Sequence, residues 1–197
     1  FNFQGSIAFN HVSFQYPVTN ITAVSDVSFQ VNKGETLAVV GHTGSGKSTI
    51  SSLLMRQYDP QSGEILIDGK PLSSINLYAL RSQTGIVPQD VFLFSDTIRE
   101  NVQFGMNDRT CSEEELIEAC KMTHVYHNIQ AFPDGFDTLL GERGVNLSGG
   151  QKQRISIARA LLKKPKLLIL DDCLSAVDTE TEEIILRNLE SGKENRT

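Results

Sequence analysis

At 197 residues with a formal net charge of −6, the chain is long enough for one domain with a sizeable core and room for an inserted subdomain. The acidic balance argues against a dedicated nucleic-acid binder, which needs a surplus of Lys and Arg on one face. No apolar run approaches the ~20 residues that cross a bilayer, no signal peptide is visible, and three cysteines without CxxC spacing (Cys111, Cys120, Cys173) read as reduced packing thiols.

From the N-terminus, Ile7-Ala8-Phe9 with Val12-Ser13-Phe14, and then Val24 to Val31, alternate apolar and polar residues around Pro17 and Asn20, the pattern of an antiparallel meander. Tyr16 lies just outside the first strand and could stack on a base or simply pack at an edge. Asn32 to Glu35 forms a turn into an apolar run, 36–40, expected to be a buried strand. GHTGSGKST follows at 41–49: Gly41, four residues, then Gly46-Lys47-Ser48 is the spacing of a phosphate-binding P-loop. Glycines 41, 44 and 46 let backbone N–H groups converge on an anion, Lys47 supplies a cation and Ser48 an oxygen for Mg²⁺. The expected ligand is a nucleoside triphosphate with magnesium. Ile50, Leu53, Leu54 and Tyr58 then recur at helical spacing up to Pro60.

A short strand over 63–69, a helical turn at 78–81 and a strand at 84–89 that ends at Pro88 come next, leaving Gln89 at a strand terminus, where doubly wound folds hold ligands. From about 90 to 164 the pattern is largely helical. Ser112 to Glu115 is a capping box, and Leu116, Ile117, Cys120, Thr123 and His124 form one face. His124 and His127 read as helix-surface residues with no third metal ligand nearby. Leu147-Ser148-Gly149-Gly150-Gln151 opens a helix ended by Pro165. A capping box accounts for Ser148 and Gln151 but not for two consecutive glycines, which leave the helix start bare for an anion. Leu167 to Leu170 is a second apolar run, ending in Asp171-Asp172, and beside a P-loop such a carboxylate organises Mg²⁺. Ser175 to Asp178 is a turn and Thr179 to Leu189 a final helix.

The P-loop, LSGGQ and LLILDD, in this order and spacing, resemble the nucleotide-binding domain of ATP-binding-cassette (ABC) transporters, over essentially the whole chain. The resemblance implies an α/β fold: a P-loop NTPase (RecA-like) core with a parallel sheet, an N-terminal antiparallel β subdomain and an inserted α-helical subdomain. It divides the chain into 1–89 (β subdomain plus P-loop core), 90–164 (helical subdomain with the signature motif) and 165–197 (Walker B strand, D-loop and following helix), with a truncated C-terminus. It implies ATP and Mg²⁺ as cofactors and an ATPase coupled to transport across a membrane. Tyr16 falls at the adenine-stacking aromatic, and Gly41, His42, Thr43, Gly44, Ser45, Gly46, Lys47, Ser48 and Thr49 form the phosphate loop. Gln89 links metal to the membrane partner, so Ser48, Gln89 and Asp171 are the implied metal ligands and Lys47, Gln89 and Asp172 the implied catalytic groups. Ser148, Gly149, Gly150 and Gln151 would hold a nucleotide bound by a second nucleotide-binding domain in a head-to-tail dimer, and Asp178 lies at the loop crossing that interface.

Gly85 to Phe94 and Gly141 to Gly144 look like the exporter branch, in which these loops meet the transmembrane domain. Phe92, Leu93 and Phe94 are either a surface cluster reserved for that contact or part of the helical core. The implied location is the cytoplasmic face of the cell membrane. Two departures stand out. Asp172 occupies a position where most members carry Glu, as in heterodimeric exporters with one weakened site, and none of His11, His42, His124 or His127 matches the switch histidine, expected after Thr197. The alternative is therefore an ATP-gated dimerisation module with a weak hydrolysis site. The cargo is not legible in these residues.

Overall fold

The computed structural model describes residues 3–106, 111–144, 146–192 and 196–197, the side chain of Arg143 excepted. By backbone packing the chain divides into two compact units, Phe1–Thr84 with Lys193–Thr197, and Gly85–Gly192.

The first unit is built on the predicted meander. Strands β1 (Ile7–Gln15) and β2 (Thr22–Val31) pair antiparallel, and β3 (Ser62–Ile67) and β4 (Lys70–Pro71) extend the sheet in the order β2-β1-β3-β4. Alternation buries Ile7, Phe9, Val12 and Phe14, and Phe9 stacks on Phe29 across the ladder with ring centroids 4.5 Å apart. Register shifts between Phe9 and Val12 mark a bulge, where His11 and Asp26 both adopt positive φ and His11 Nδ1 lies 2.8 Å from Asp26 Oδ1. Helix α1 (Lys47–Leu54) follows the glycine loop, and α2 (Leu77–Ser82) begins at Asn76, whose side chain accepts from Ala79 N.

Two expectations for this unit are corrected. Residues 36–40 form no strand, and Val40 is 89 % exposed. Apolar composition signals a preference for burial, but a strand exists only where a second strand takes its N–H and C=O groups, and among the described residues none pairs with this run. The helix after the loop also ends early, at Leu54 rather than at Pro60. Arg56 adopts φ 49°, its N–H reaches Leu53 O and that of Gln57 reaches Ser52 O, a Schellman stop built without glycine. Arg81 reinforces it by donating to Met55 O at 3.1 and 3.2 Å. Tyr58 thereby leaves the helix and packs against Phe14 and Tyr16.

In the second unit, β5 (Thr84–Val87) and β6 (Leu167–Leu170) make a two-stranded parallel sheet, extended by Asp171 N donating to Val87 O at 2.9 Å. Helices α3 (Ile98–Gln103), α4 (Glu113–Met122), α5 (Tyr126–Gln130), α6 (Gly149–Leu162) and α7 (Thr179–Ser191) complete it. Helix α6 is buried on nearly every side, as expected of a central helix. One face meets Leu93, Ile98, Leu116, Cys120 and Ile129 through Ile155, Ala158 and Leu162, while Ile157, Ala160 and Leu161 meet Val87 and Cys173. Burial pushes the Cys120 and Cys173 thiols up to about 12, which fits their reading as packing residues. The α4 face holds Leu116, Ala119 and Cys120, but the helix ends at Met122, so Thr123 caps it and His124, at φ 54°, lies beyond.

The capping box on α4 is present in both directions: Ser112 Oγ accepts from Glu115 N, and the Glu115 side chain accepts from Ser112 N. Ser112→Ala is expected to lower stability by about 1 kcal/mol, read as a reduced urea midpoint at unchanged slope.

Candidate functional site

In the first unit the loop 41–49 connects the unpaired run 36–40 to α1. Gly46 caps α1 with φ 90° and offers no side chain, so the first N–H groups of the helix have no side-chain cap. Its glycine is required twice over, because a Cβ there would sit 2.0 Å from Ala23 O on β2. Gly44 also has positive φ, 81°, in open space. Gly41 does not. The backbone freedom expected of all three glycines is therefore used at 44 and 46, while a Cβ at Gly41 would meet only the rotatable Ser45 side chain, with Oγ at 2.7 Å.

Lys47 Nζ donates to Gly41 O at 2.7 Å and His42 O at 2.9 Å, arching over the loop it follows. His42 Nδ1 lies 2.9 Å from Thr43 O, and Ser48 is exposed, whereas Thr49 is buried. The Tyr16 hydroxyl lies 3.1 Å from Thr49 Oγ1, and the Tyr16 ring stands edge-on to both Tyr58 (5.4 Å, 87°) and Phe14 (5.1 Å, 80°). Tyr16 is thus tied to the start of α1 and buttressed by Tyr58, a residue the sequence reading had placed on the helix. Within this unit the structure brings together Tyr16, the glycine loop, Lys47, Ser48 and Thr49.

In the second unit, Gln89 Nε2 donates to Asp172 Oδ2 at 3.1 Å, joining a residue two positions past β5 to the residue after Asp171. Asp172 has φ 49°, a left-handed conformation that Asp adopts more readily than most residues. Asp178 caps α7, accepting from Thr181 N, and this bond holds its carboxyl below the usual carboxylate range.

The signature turn shows the reciprocal capping box, with Gln151 N donating to Ser148 Oγ and Ser148 N donating to Gln151 Oε1. Ser148 and Gly149 are exposed. The paired glycines also meet a packing demand, since a Cβ on Gly150 would lie 2.8 Å from Ala176 O and one on Gly149 3.2 Å from Ala176 Cβ. Packing against the turn after β6 is a second reason for both.

Of the aromatic cluster, Leu93 is fully buried in the helical core while Phe92 and Phe104 are more than half exposed. Phe92, Phe94 and Phe104 form a surface chain, with centroids 5.0 and 4.3 Å apart. Arg159 backs it: its guanidinium donates to Phe92 O and Asn101 O and lies 5.9 and 5.6 Å from the Phe94 and Phe104 rings. Burial lowers that guanidinium to about 10. Phe104 and Arg159 carried no signal in the sequence beyond their residue types. Among the described residues no group of three or more His, Cys, Asp or Glu could hold a metal, and no helix is long and apolar enough to cross a membrane.

A glycine loop feeding an uncapped helix, with a lysine arched over it, defines a phosphate-binding α/β protein. The ABC transporter family model matches residues 24–175, and the chain belongs to that family. It is 52 % identical over 92 % of its length to the uncharacterized ABC transporter ATP-binding protein YfiB of Bacillus subtilis (strain 168), covering 31 % of that protein. It is 50 % identical over 98 % of its length to YgaD of the same organism, provisionally named a multidrug export ATP-binding/permease protein, of which it covers 33 %. Among solved structures, a bacterial Atm1-family ABC exporter with ATP bound matches 98 % of this chain and 34 % of its own at 42 % identity, with a TM-score of 0.92. The chain therefore spans about a third of the length of these relatives.

Proposed function

We propose that this chain is the ATP-binding and ATP-hydrolysing part of an ABC exporter, working as a head-to-tail pair with a second such domain and docked on a transmembrane domain at the cytoplasmic face of the membrane. The observation that carries the reading is the phosphate cradle: Gly41 to Thr49, with Lys47 poised over two loop carbonyls at an uncapped helix start. Relatives named as ATP-binding/permease proteins, of which the chain covers a third, support the membrane partner.

On this reading Tyr16 stacks the adenine, Lys47 and the loop amides hold the phosphates, and Asp172, held by Gln89, polarises the attacking water. Mg²⁺, when bound, neutralises phosphate charge. Ser48, Gln89 and Asp171 are the ligands that the family resemblance proposes, each supplying the hard oxygen that this ion takes. Ser148, Gly149, Gly150 and Gln151 close on the nucleotide of the partner domain, and Asp178 lies at that interface. Phe92, Phe94 and Phe104 face the transmembrane domain. The three-part division 1–89, 90–164 and 165–197 belongs to the same proposal and concerns how the segments work, whereas the two compact units are defined by packing.

A second reading, an ATP-gated dimerisation module with a weak hydrolysis site, is favoured by one observation, the short carboxylate of Asp172. Phosphate release by the full-length protein, alone and with a partner domain whose Walker B strand ends in Asp-Glu, separates the two. Turnover comparable to the partner's own supports hydrolysis here. Binding with turnover confined to the partner's site supports the module, and absence of nucleotide binding sinks both. Tyr16→Leu is expected to weaken ATP binding about fivefold, from loss of roughly 1 kcal/mol of stacking, while leaving inorganic triphosphate binding unchanged.

A further inference from the structure

Gln153 lies on α6 one turn after Gly149, is buried, and belongs to no motif singled out above. Both ends of its amide are committed to the turn that follows β6. Ala176 N donates to Gln153 Oε1 at 2.9 Å, and Gln153 Nε2 donates to Ser175 Oγ at 3.2 Å. Ser175 Oγ in turn donates to the Asp172 carbonyl at 3.1 Å. The same turn lies tightly against the start of α6, where Gly150 leaves no room for a Cβ beside Ala176 O. Gln153 is the buried member of both bonds, so breaking either leaves part of its amide without a partner and away from water.

We propose that Gln153 is a positioning residue that makes the signature turn and the Asp172 terminus of β6 one rigid body, so that a load on Ser148 to Gly150 is transmitted to the carboxylate at Asp172. This rests on the reading above, in which those two places serve different nucleotides. A displacement of the signature turn carries Ala176 with it through Gly150 and Gln153. Ser175 passes the displacement to the Asp172 backbone, and the Gln89 bond carries it to the side chain. Gln153 therefore contributes to agreement between two sites rather than to either one.

The test uses the full-length protein with Gln153→Leu, which keeps the volume and removes both bonds, and Gln153→Glu, which keeps an acceptor for Ala176 N but loses the donor to Ser175 Oγ. In Gln153→Leu we expect hydrogen exchange at the Ala176 amide to quicken about tenfold, corresponding to ~1.4 kcal/mol of lost protection, while the amides of α6 stay protected. We further expect kcat to fall about fivefold and the Hill coefficient for ATP to approach one, with nucleotide affinity at the Lys47 loop unchanged. Gln153→Glu should keep the exchange protection and lose the cooperativity. Unchanged kcat and Hill coefficient in Gln153→Leu would overturn the proposal whether or not exchange quickens, as would a parallel loss of affinity at the Lys47 loop. Failure of the wild-type protein to release phosphate would strike instead at the function proposed above.

Discussion

Lys47→Ala should abolish useful triphosphate binding, weakening it at least about a hundredfold while leaving the fold intact. Nζ already donates to Gly41 O and His42 O, so the ammonium is held over the loop and close to where phosphate oxygens would sit. A charge-assisted bond to a phosphate is worth about 1.5–3 kcal/mol, and the net charge of −6 leaves the molecule no general excess of cations to replace it. At about 1.4 kcal/mol per decade, loss of such a bond together with the cation's field corresponds to two decades or more. Lys47→Arg should recover little, because a planar fork is too wide for the space a point charge occupies between two carbonyls. Titration of the full-length protein with a fluorescent nucleotide, beside thermal melts of both variants, makes the measurement. An affinity within threefold of wild type for Lys47→Ala would remove the cradle from the account.

What could be read in the sequence was whatever depends on residue type at fixed local spacing. Both capping boxes are local devices whose partners lie within a few residues, and each was found where expected. The alternation in β1 and β2 exposed the meander for the same reason. Pairing is a non-local property, so the apolar run at 36–40 looked like a strand although nothing described pairs with it. The stop at Leu54 was hidden because Arg56, not Gly, takes the left-handed position, held by carbonyl contacts from Arg81 twenty-five residues away. Likewise Leu93 could not be separated from Phe92 and Phe94 by hydrophobicity alone, since only the packing of α6 decides which of three neighbours turns inward. Gln153 was invisible because its meaning lies in a turn more than twenty residues downstream.

The Asp172→Glu substitution should raise single-site turnover at least about tenfold without changing ATP affinity. The carboxylate that Asp offers ends roughly 1 Å short of where Glu would place it, and an ångström of misplacement is enough to forfeit much of the ~10²–10⁴-fold that a general base contributes. The structure adds two opposing considerations. Gln89 donates to Asp172 Oδ2 at 3.1 Å, so on the proposed reading the carboxylate is already oriented and the longer side chain adds reach rather than order. Residue 172 also has φ 49°, a region that Asp tolerates better than Glu, and the substitution should cost up to ~1 kcal/mol of stability. That penalty falls on folding and is common to ground and transition states, so it lowers the melting temperature without cancelling a gain in kcat. Stability and turnover are therefore expected to move in opposite directions in the same variant. Phosphate release from the full-length protein, with the partner's site disabled, reads the second and a thermal melt the first. Turnover unchanged by the longer side chain would mean that reach is not what limits this site.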